Sequence, residues 1–386
     1  MKEKLIGKSP DELRQAALAV GLPAFAGAQM ANWLYVRRVH SFDGMTNISK
    51  AGREKLAESY ELGYSAPAGV AESSDGTRKY LFEVTGPEDS RSRLGVTGGA
   101  GTFAQAETPT GLEAGSKSAG ARSRGGSGAA IGPRITAVEA VMIPDTGRKT
   151  LCVSSQAGCK MGCRFCMTGR QGFHGQLDTA QILNQFLAVE ESQELTNAVF
   201  MGMGEPLDNY GEVMRAIGVL TAPWGFAWSP KRITLSTIGV LPELRRYLDE
   251  SRCHLAVSLH NPFPDERAEL MPVQKAWPIG DVVELLRSYD FTGQRRVSFE
   301  YTMFSGWNDS KRHADALIRL LRGLECRVNL IRFHRIPDFP YEPSPDAVME
   351  AFRDRLSGHL TCTIRASRGE DIMAACGLLA GRHQNR

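Results

Sequence analysis

From about residue 150 onward, short apolar runs alternate with amphipathic stretches, and this alternation constrains the fold more than any other feature of the chain. Candidate strands fall at 151–154, 198–201, 232–235, 254–258, 297–301 and 327–331. Helical spacing of apolar residues recurs near 179–191, 210–219, 241–249, 280–288 and 311–323. One more strand, 361–365, follows a helix near 346–356. Strands joined in series by helices pair in parallel through right-handed crossovers. The expected class is α/β, a (β/α)6 partial TIM barrel over 145–370. In such a barrel, chemistry collects where the strands end at their C-termini.

The loop after the first of these strands reads Gly158-Cys159-Lys160-Met161-Gly162-Cys163-Arg164-Phe165-Cys166. A closed zinc site or a fully ligated cubane wants four protein ligands. The spacing CxxxCxxC supplies three thiolates, from Cys159, Cys163 and Cys166. Three leave one iron of a 4Fe–4S cluster open to bind S-adenosylmethionine (SAM) and pass it an electron. With Phe165 before the third cysteine, the loop resembles the radical SAM signature. A zinc reading needs a fourth ligand, for which His174 is the local candidate.

Upstream, residues 1–70 read as a small helical unit. Ser9-Pro10-Asp11-Glu12 is a helix start, and Gly21-Leu22-Pro23 a stop. A second helix carries Ala28, Trp33, Leu34 and Val36, and a third runs from about 50 to 60. Arg37, Arg38, Lys50, Arg53 and Lys55 form either a solvated face or an RNA-backbone patch. Residues 79–84 and 136–143 alternate as strands of a β-hairpin extension within 71–144. Between them, 32 of the 47 residues from 87 to 133 are Gly, Ala, Ser, Thr or Pro, without hydrophobic periodicity. Such a segment cannot offset its ordering entropy, so 87–133 is expected to be a disordered insertion.

The chain holds eight cysteines and a net charge of +3. It carries no signal peptide and no apolar run of membrane-spanning length. A soluble cytoplasmic protein is therefore expected, in the reducing compartment an oxygen-sensitive cluster needs. Cys253, Cys326 and Cys362 sit in or beside apolar strands as inert thiols. Met201-Gly202-Met203-Gly204-Glu205-Pro206 ends the second strand of the series. Its glycines admit backbone close to a ligand, and its Glu can accept from an ammonium group. Ser236 ends the third strand; Ser258, Leu259 and His260 end the fourth.

These segments are joined by two more cysteines. Cys152 lies seven residues before Cys159, and Cys376 lies in Arg368-Gly369-Glu370-Asp371-Ile372-Met373-Ala374-Ala375-Cys376-Gly377. Together they closely resemble the RlmN/Cfr family of radical SAM RNA adenosine methyltransferases, from about Asp75 to Gly381 outside the insertion. The resemblance implies a 4Fe–4S cluster on Cys159, Cys163 and Cys166. It implies SAM contacts by Gly204, Glu205, Ser236, Ser258, Leu259 and His260. Many members carry a Pro-aromatic-Asn-Pro run where this chain has Arg332-Phe333-His334-Arg335, so His334 takes the place of an adenosyl contact.

The resemblance also implies a mechanism that uses two SAM molecules per turnover. One methylates Cys376, on the C-terminal segment 371–386. The other gives a 5′-deoxyadenosyl radical that takes hydrogen from this S-methyl group, and the carbon radical adds to adenine carbon 2. Cys152 takes the carbon-bound proton and releases the product through a disulfide with Cys376. Glu139 matches a carboxylate assigned as proton acceptor. The implied substrates are an adenosine of 23S rRNA near the peptidyl-transferase centre and a tRNA adenosine beside the anticodon, unstacked to reach the cysteines. A monomer reduced by a flavodoxin or ferredoxin, with residues 1–70 docking RNA, completes the expectation. The competing readings are methylation at carbon 8, a radical SAM enzyme on a non-RNA substrate, and a binding protein with a sensing cluster.

Overall fold

The computed structural model describes residues 2–85, 135–293 and 295–381; the segment 87–133, expected to be an insertion, lies outside them. The chain opens with β1 (Glu3–Lys4) and α1 (Pro10–Ala19). The start of α1 follows its residues. Ser9 Oγ accepts the Glu12 N–H at 3.3 Å, Glu12 reaches back to the Ser9 N–H at 2.7 Å, and Pro10 occupies the first turn. The second helix is shorter than the periodicity predicts: α2 (Ala26–Ala31) widens into a π-helical turn, Asn32–Val36. Next come α3 (Lys50–Ser59), capped by Ser49, and β2 (Tyr60–Glu61), which pairs in parallel with β1. Tyr35 is fully buried; its hydroxyl donates to the Lys8 carbonyl and accepts the Gly7 N–H.

A ten-stranded sheet follows. Its first strands are β3 (Gly69–Glu72), β4 (Arg78–Thr85), β5 (Ile135–Asp145) and β6 (Arg148–Cys152), each antiparallel to the next. β4 and β5 stay in register to their last rung, Thr85 opposite Ile135. After β6 the chain forms a small antiparallel ribbon, β7 (Gln156–Gly158) with β8 (Phe173–Gln176), separated by the cysteine loop and α4 (Met167–Arg170). Gly158 has φ +72°, and a Cβ there would lie 2.0 Å from the Gly172 carbonyl oxygen, so the base of the loop requires glycine.

The remaining elements are α5 (Thr179–Leu187), β9 (Asn197–Phe200), α6 (Tyr210–Thr221), β10 (Ile233–Thr237), α7 (Leu241–Glu250), β11 (His254–Ser258), α8 (Pro264–Leu270) and α9 (Ile279–Arg287). They end with β12 (Val297–Met303), α10 (Lys311–Leu321), β13 (Arg327–Arg332), α11 (Asp346–Ser357) and β14 (Thr361–Ile364). The strand order is β14-β13-β12-β11-β10-β9-β6-β5-β4-β3, with every pair from β6 to β14 parallel. Each crossover adds its strand beside the last, so the sheet winds one way. β14 pairs with β13 alone among the described strands, as a partial barrel requires. β12 is nearly continuously buried, the mark of a parallel strand covered on both faces.

The parallel strands and their helices match the sequence expectation within a few residues. β3 and the β7–β8 ribbon lacked the length or alternation to be read. Among the basic residues of the helical unit, Arg37, Lys50 and Lys55 are exposed. Arg38 instead folds back onto the Ser192 carbonyl and lies 4.3 Å over the Phe226 ring, while Arg53 donates to the Ile48 carbonyl. Among the described residues no helix is long and apolar enough to cross a membrane.

Candidate active site

The C-terminal ends of β9 to β14 surround one cavity, with about 970 Å³ of empty space including its open mouth. Residues in or just after six strands reach it, among them Met201, Ser236, Ser258, Glu300, Phe333 and Arg365, so the sheet curls around it. The cysteine loop closes one side.

Cys159, Cys163 and Cys166 all line this cavity and are half-buried. Burial first, then the charge of Glu205 and the Cys166 sulfur, pushes the Cys159 thiol up to about 12; burial and the other two sulfurs push the Cys163 thiol well above its ordinary value. Among the described residues no three His, Cys, Asp or Glu side chains converge as ligands of a single ion. A cubane differs, because each of its thiolates binds its own iron, so the sulfurs line a shared space without meeting at a point. His174 is exposed on β8 and does not complete a zinc set. The donor set therefore fits a cluster with an open corner. Phe165 packs edge-on against His260, with ring centroids 4.8 Å apart.

Beside the loop runs Met201–Pro206. A Cβ on Gly202 would lie 2.6 Å from the Val153 carbonyl oxygen, and one on Gly204, at φ +98°, 2.5 Å from Gln156 Cβ. Both glycines let the motif lie flat on β6 and its extension. Glu205 is buried at the cavity wall, where its carboxylate accepts the N–H groups of Leu207 at 3.0 Å and Ile238 at 2.9 Å. Burial lifts its pKa to about 7 against these hydrogen bonds. Burial and the nearby Arg267 push His260 down to about 3, so its ring is neutral. Its Nδ1 accepts the Thr302 N–H at 3.0 Å, which leaves the proton on Nε2.

Cys376 opens into the same cavity, so its thiol is accessible although protein crowds it. Cys152, at the end of β6, is buried. Cys376 adds to the rise of the Cys152 thiol, and Arg365 acts on both. Burial pushes Cys152 up to about 12 and Cys376 upward as well; the Arg365 guanidinium pulls each back.

Three expected site residues stand elsewhere. Leu259 is fully buried in the core. His334 has both ring nitrogens engaged, Nδ1 at 3.3 Å from Glu370 and Nε2 at 3.1 Å from Ser367 Oγ, so it ties down the C-terminal segment. Glu139 is buried, 3.0 Å from Lys79 Nζ. Conversely, sequence reasoning missed Glu300 and Arg365. Glu300 is buried and accepts from Asn329 at 2.7 Å and Ser298 at 3.0 Å. Charged residues inside or just after apolar strands were the signal that could have found both.

The sequence model of the radical SAM superfamily matches residues 153–317, and that of the ribosomal RNA large subunit methyltransferase N-terminal domain matches residues 4–62. The chain is 53% identical over 377 residues to the probable dual-specificity RNA methyltransferase RlmN of Porphyromonas gingivalis strain W83, covering 97% of this chain and 96% of that protein. It is 36% identical to the dual-specificity RNA methyltransferase RlmN of Syntrophus aciditrophicus, covering 97% and 95%. A radical SAM methyltransferase from Sphaerobacter thermophilus, solved by crystallography, superposes with a TM-score of 0.82 at 32% identity, over 98% of this chain and all of that one. With a sheet curled around one cavity and three loop cysteines on its wall, the chain belongs to the RlmN family of the radical SAM superfamily.

Proposed function

We propose that this chain is a SAM-dependent methyltransferase acting on carbon 2 of adenosine in 23S rRNA and tRNA, with Cys376 as methyl carrier. The observation that carries the reading is Cys376, which opens into the same cavity as the three loop cysteines and Arg365; Cys152 is buried at the end of β6, where the same guanidinium favours its thiolate. Cys159, Cys163 and Cys166 would hold the 4Fe–4S cluster, which together with SAM supplies the adenosyl radical and the methyl groups. Glu205 accepts the amino group of SAM. The hydroxyls of Ser236 and Ser258 and the Nε2–H of neutral His260 suit its ribose and carboxylate oxygens. A small electron-transfer protein of the flavodoxin or ferredoxin kind reduces a monomeric enzyme.

Cys376 is the accessible thiol and Cys152 the shielded one, which suits a carrier that meets the substrate and a partner that acts after it. To take a proton from adenine, Cys152 must be a thiolate, and Arg365 is the cation that favours this form. Disulfide formation between Cys152 and Cys376 then frees the RNA, and an external thiol must reduce the enzyme before the next turnover. Residues 4–62 dock the RNA, with exposed Arg37, Lys50 and Lys55 as candidate phosphate contacts.

The test is peptide mass spectrometry of Cys376 in anaerobically purified, cluster-loaded protein, with nucleoside analysis of 23S rRNA and tRNA after reaction. The expected result is S-methyl on Cys376, 2-methyladenosine in RNA, and RNA covalently held on Cys376 in Cys152→Ala. 8-Methyladenosine would overturn the carbon-2 assignment. An unmodified Cys376 without RNA adduct, in protein that cleaves SAM, would overturn the methyl-carrier reading.

A further inference from the structure

The described chain ends in a strap, residues 367–381, that carries Cys376 and is tied down on both sides of it. Before the thiol, the Gly369 N–H donates to Asp75 Oδ2 at 3.1 Å. Asp371 accepts from Ser73 Oγ at 2.5 Å and from the Ser74 N–H at 3.1 Å. Near the thiol, the Met167 N–H donates to the Gly377 carbonyl at 2.8 Å, and Thr168 Oγ1 to the Leu379 carbonyl at 2.7 Å. After it, the N–H groups of Ala380 and Gly381 converge on one oxygen of Glu139, Oε2, at 2.7 and 3.0 Å. The other oxygen, Oε1, lies 3.0 Å from Lys79 Nζ, which also reaches the Met373 carbonyl at 3.4 Å. The Glu139 and Lys79 side chains are only 3% and 8% exposed.

We infer that Glu139 is a positioning residue: with Lys79 it forms a buried clasp that holds the Cys376 strap against β4 and β5, and it does not act on the substrate base. A general base must come within hydrogen-bond reach of the proton it takes. Glu139 is not among the residues lining the cavity, and its two oxygens face the ammonium of Lys79 and the two strap amides. Two adjacent amides on one carboxylate oxygen, with a cation on the other, are strong charge-assisted bonds. Glu139 and Lys79 come from neighbouring strands of one hairpin, and the strap contacts come from more than 240 residues further along the chain. The clasp thus joins the extension to the segment whose sulfur must sit correctly in the cavity. A displacement of that sulfur by about 1 Å is enough to slow transfer on the order of a hundredfold.

The inference rests on Cys376 as the methyl carrier, and it can be tested before any cluster is loaded. Full-length wild type, Glu139→Ala, Glu139→Gln and Lys79→Met are compared by hydrogen exchange of peptides covering 372–381 and by the rate of Cys376 alkylation with iodoacetamide. Glu139→Ala should remove the protection of the strap and speed alkylation roughly tenfold or more. Lys79→Met should move both readouts the same way. Glu139→Gln should move them less than Glu139→Ala, because its amide oxygen still accepts the strap N–H groups, although its NH2 is a donor and loses the bond to the Lys79 ammonium. In loaded enzyme, methylation should fall in the same order as strap protection. Loss of methylation in Glu139→Ala with exchange and alkylation at wild-type values would overturn the clasp and make Glu139 a group acting on the substrate. If Glu139→Ala fails to fold, Lys79→Met decides, and wild-type strap protection in it would likewise overturn the clasp. A strap loosened as expected, in a protein whose Cys376 is never methylated, would support the clasp while removing the carrier reading.

Discussion

Arg365 Nη1 lies 3.2 Å from Glu300 Oε2, so a buried acid on β12 holds a cation that follows β14, reaching past the intervening β13. The same Nη1 lies 3.5 Å from the sulfur of Met201, at the end of β9. Glu300 is satisfied by Asn329 and Ser298 as well, so it is a fixed anchor and Arg365 is the arm it aims.

Replacing the arm should slow the thiols. Burial raises the Cys376 pKa, and Arg365 opposes that rise. In Arg365→Met the pKa rises further, less thiolate exists at any given pH, and the alkylation profile moves to higher pH. A loss of one order of magnitude in rate at pH 8 corresponds to about one pKa unit. The check is the pH profile of Cys376 alkylation in cluster-free protein; an unchanged profile would mean that Arg365 does not reach the sulfur. Arg365→Lys should recover part of the rate.

Glu205 predicts a pH-dependent stability. Its pKa in the folded chain is about 7, above its ordinary 4.5, so the folded state keeps a proton that the unfolded state has lost across this window. Stability from this group is therefore greatest below about 4.5 and declines as pH rises through about 7, by roughly 3 kcal/mol in all. Glu205→Gln should flatten that part of the curve. Urea melts of ligand-free protein at pH 5, 6, 7 and 8 measure it. Equal slopes in wild type and variant would show that the carboxyl is not so burdened.

At Gly204 the limit is steric. A Cβ would approach Gln156 Cβ to 2.5 Å and the Gln156 backbone nitrogen to 2.8 Å, at a φ of +98° that L residues rarely adopt. Gly204→Ala should lower stability by more than about 1 kcal/mol and, by shifting the motif, weaken SAM binding. Thermal melting and equilibrium dialysis against SAM read both effects. Wild-type SAM affinity in this variant would remove Gly204 from the binding wall.

The parallel strands were legible because each is a short apolar run set between helices of clear period, as Val297–Met303 and Lys311–Leu321 illustrate. The loop cysteines were legible from spacing alone. Glu139 was not: read by itself it is a strand acid facing water. Its burial depends on hairpin register, which sets Lys79 diagonally across from it on the same face, and on a strap that returns from the far end of the sequence. His334 shows a related limit. Its place in the motif suggests a ligand contact, and nothing local reveals that Ser367 and Glu370 lie against its two ring nitrogens. Local pattern carries secondary structure well; a polar side chain's partner is a fact of tertiary contact.

The rung formed by Thr85 and Ile135 bears on how such a chain can change over generations. Because the two strands remain paired up to that rung, whatever joins them leaves and re-enters at adjacent positions. The entropy of closing a connection grows only with the logarithm of its length, about 0.6 kcal/mol for each doubling. Natural selection can therefore lengthen or shorten this joint without altering the alignment of Lys79 and Glu139 further along the ladder. The hairpin end can absorb such a change at little cost, while a few rungs away Lys79 and Glu139 keep their partners.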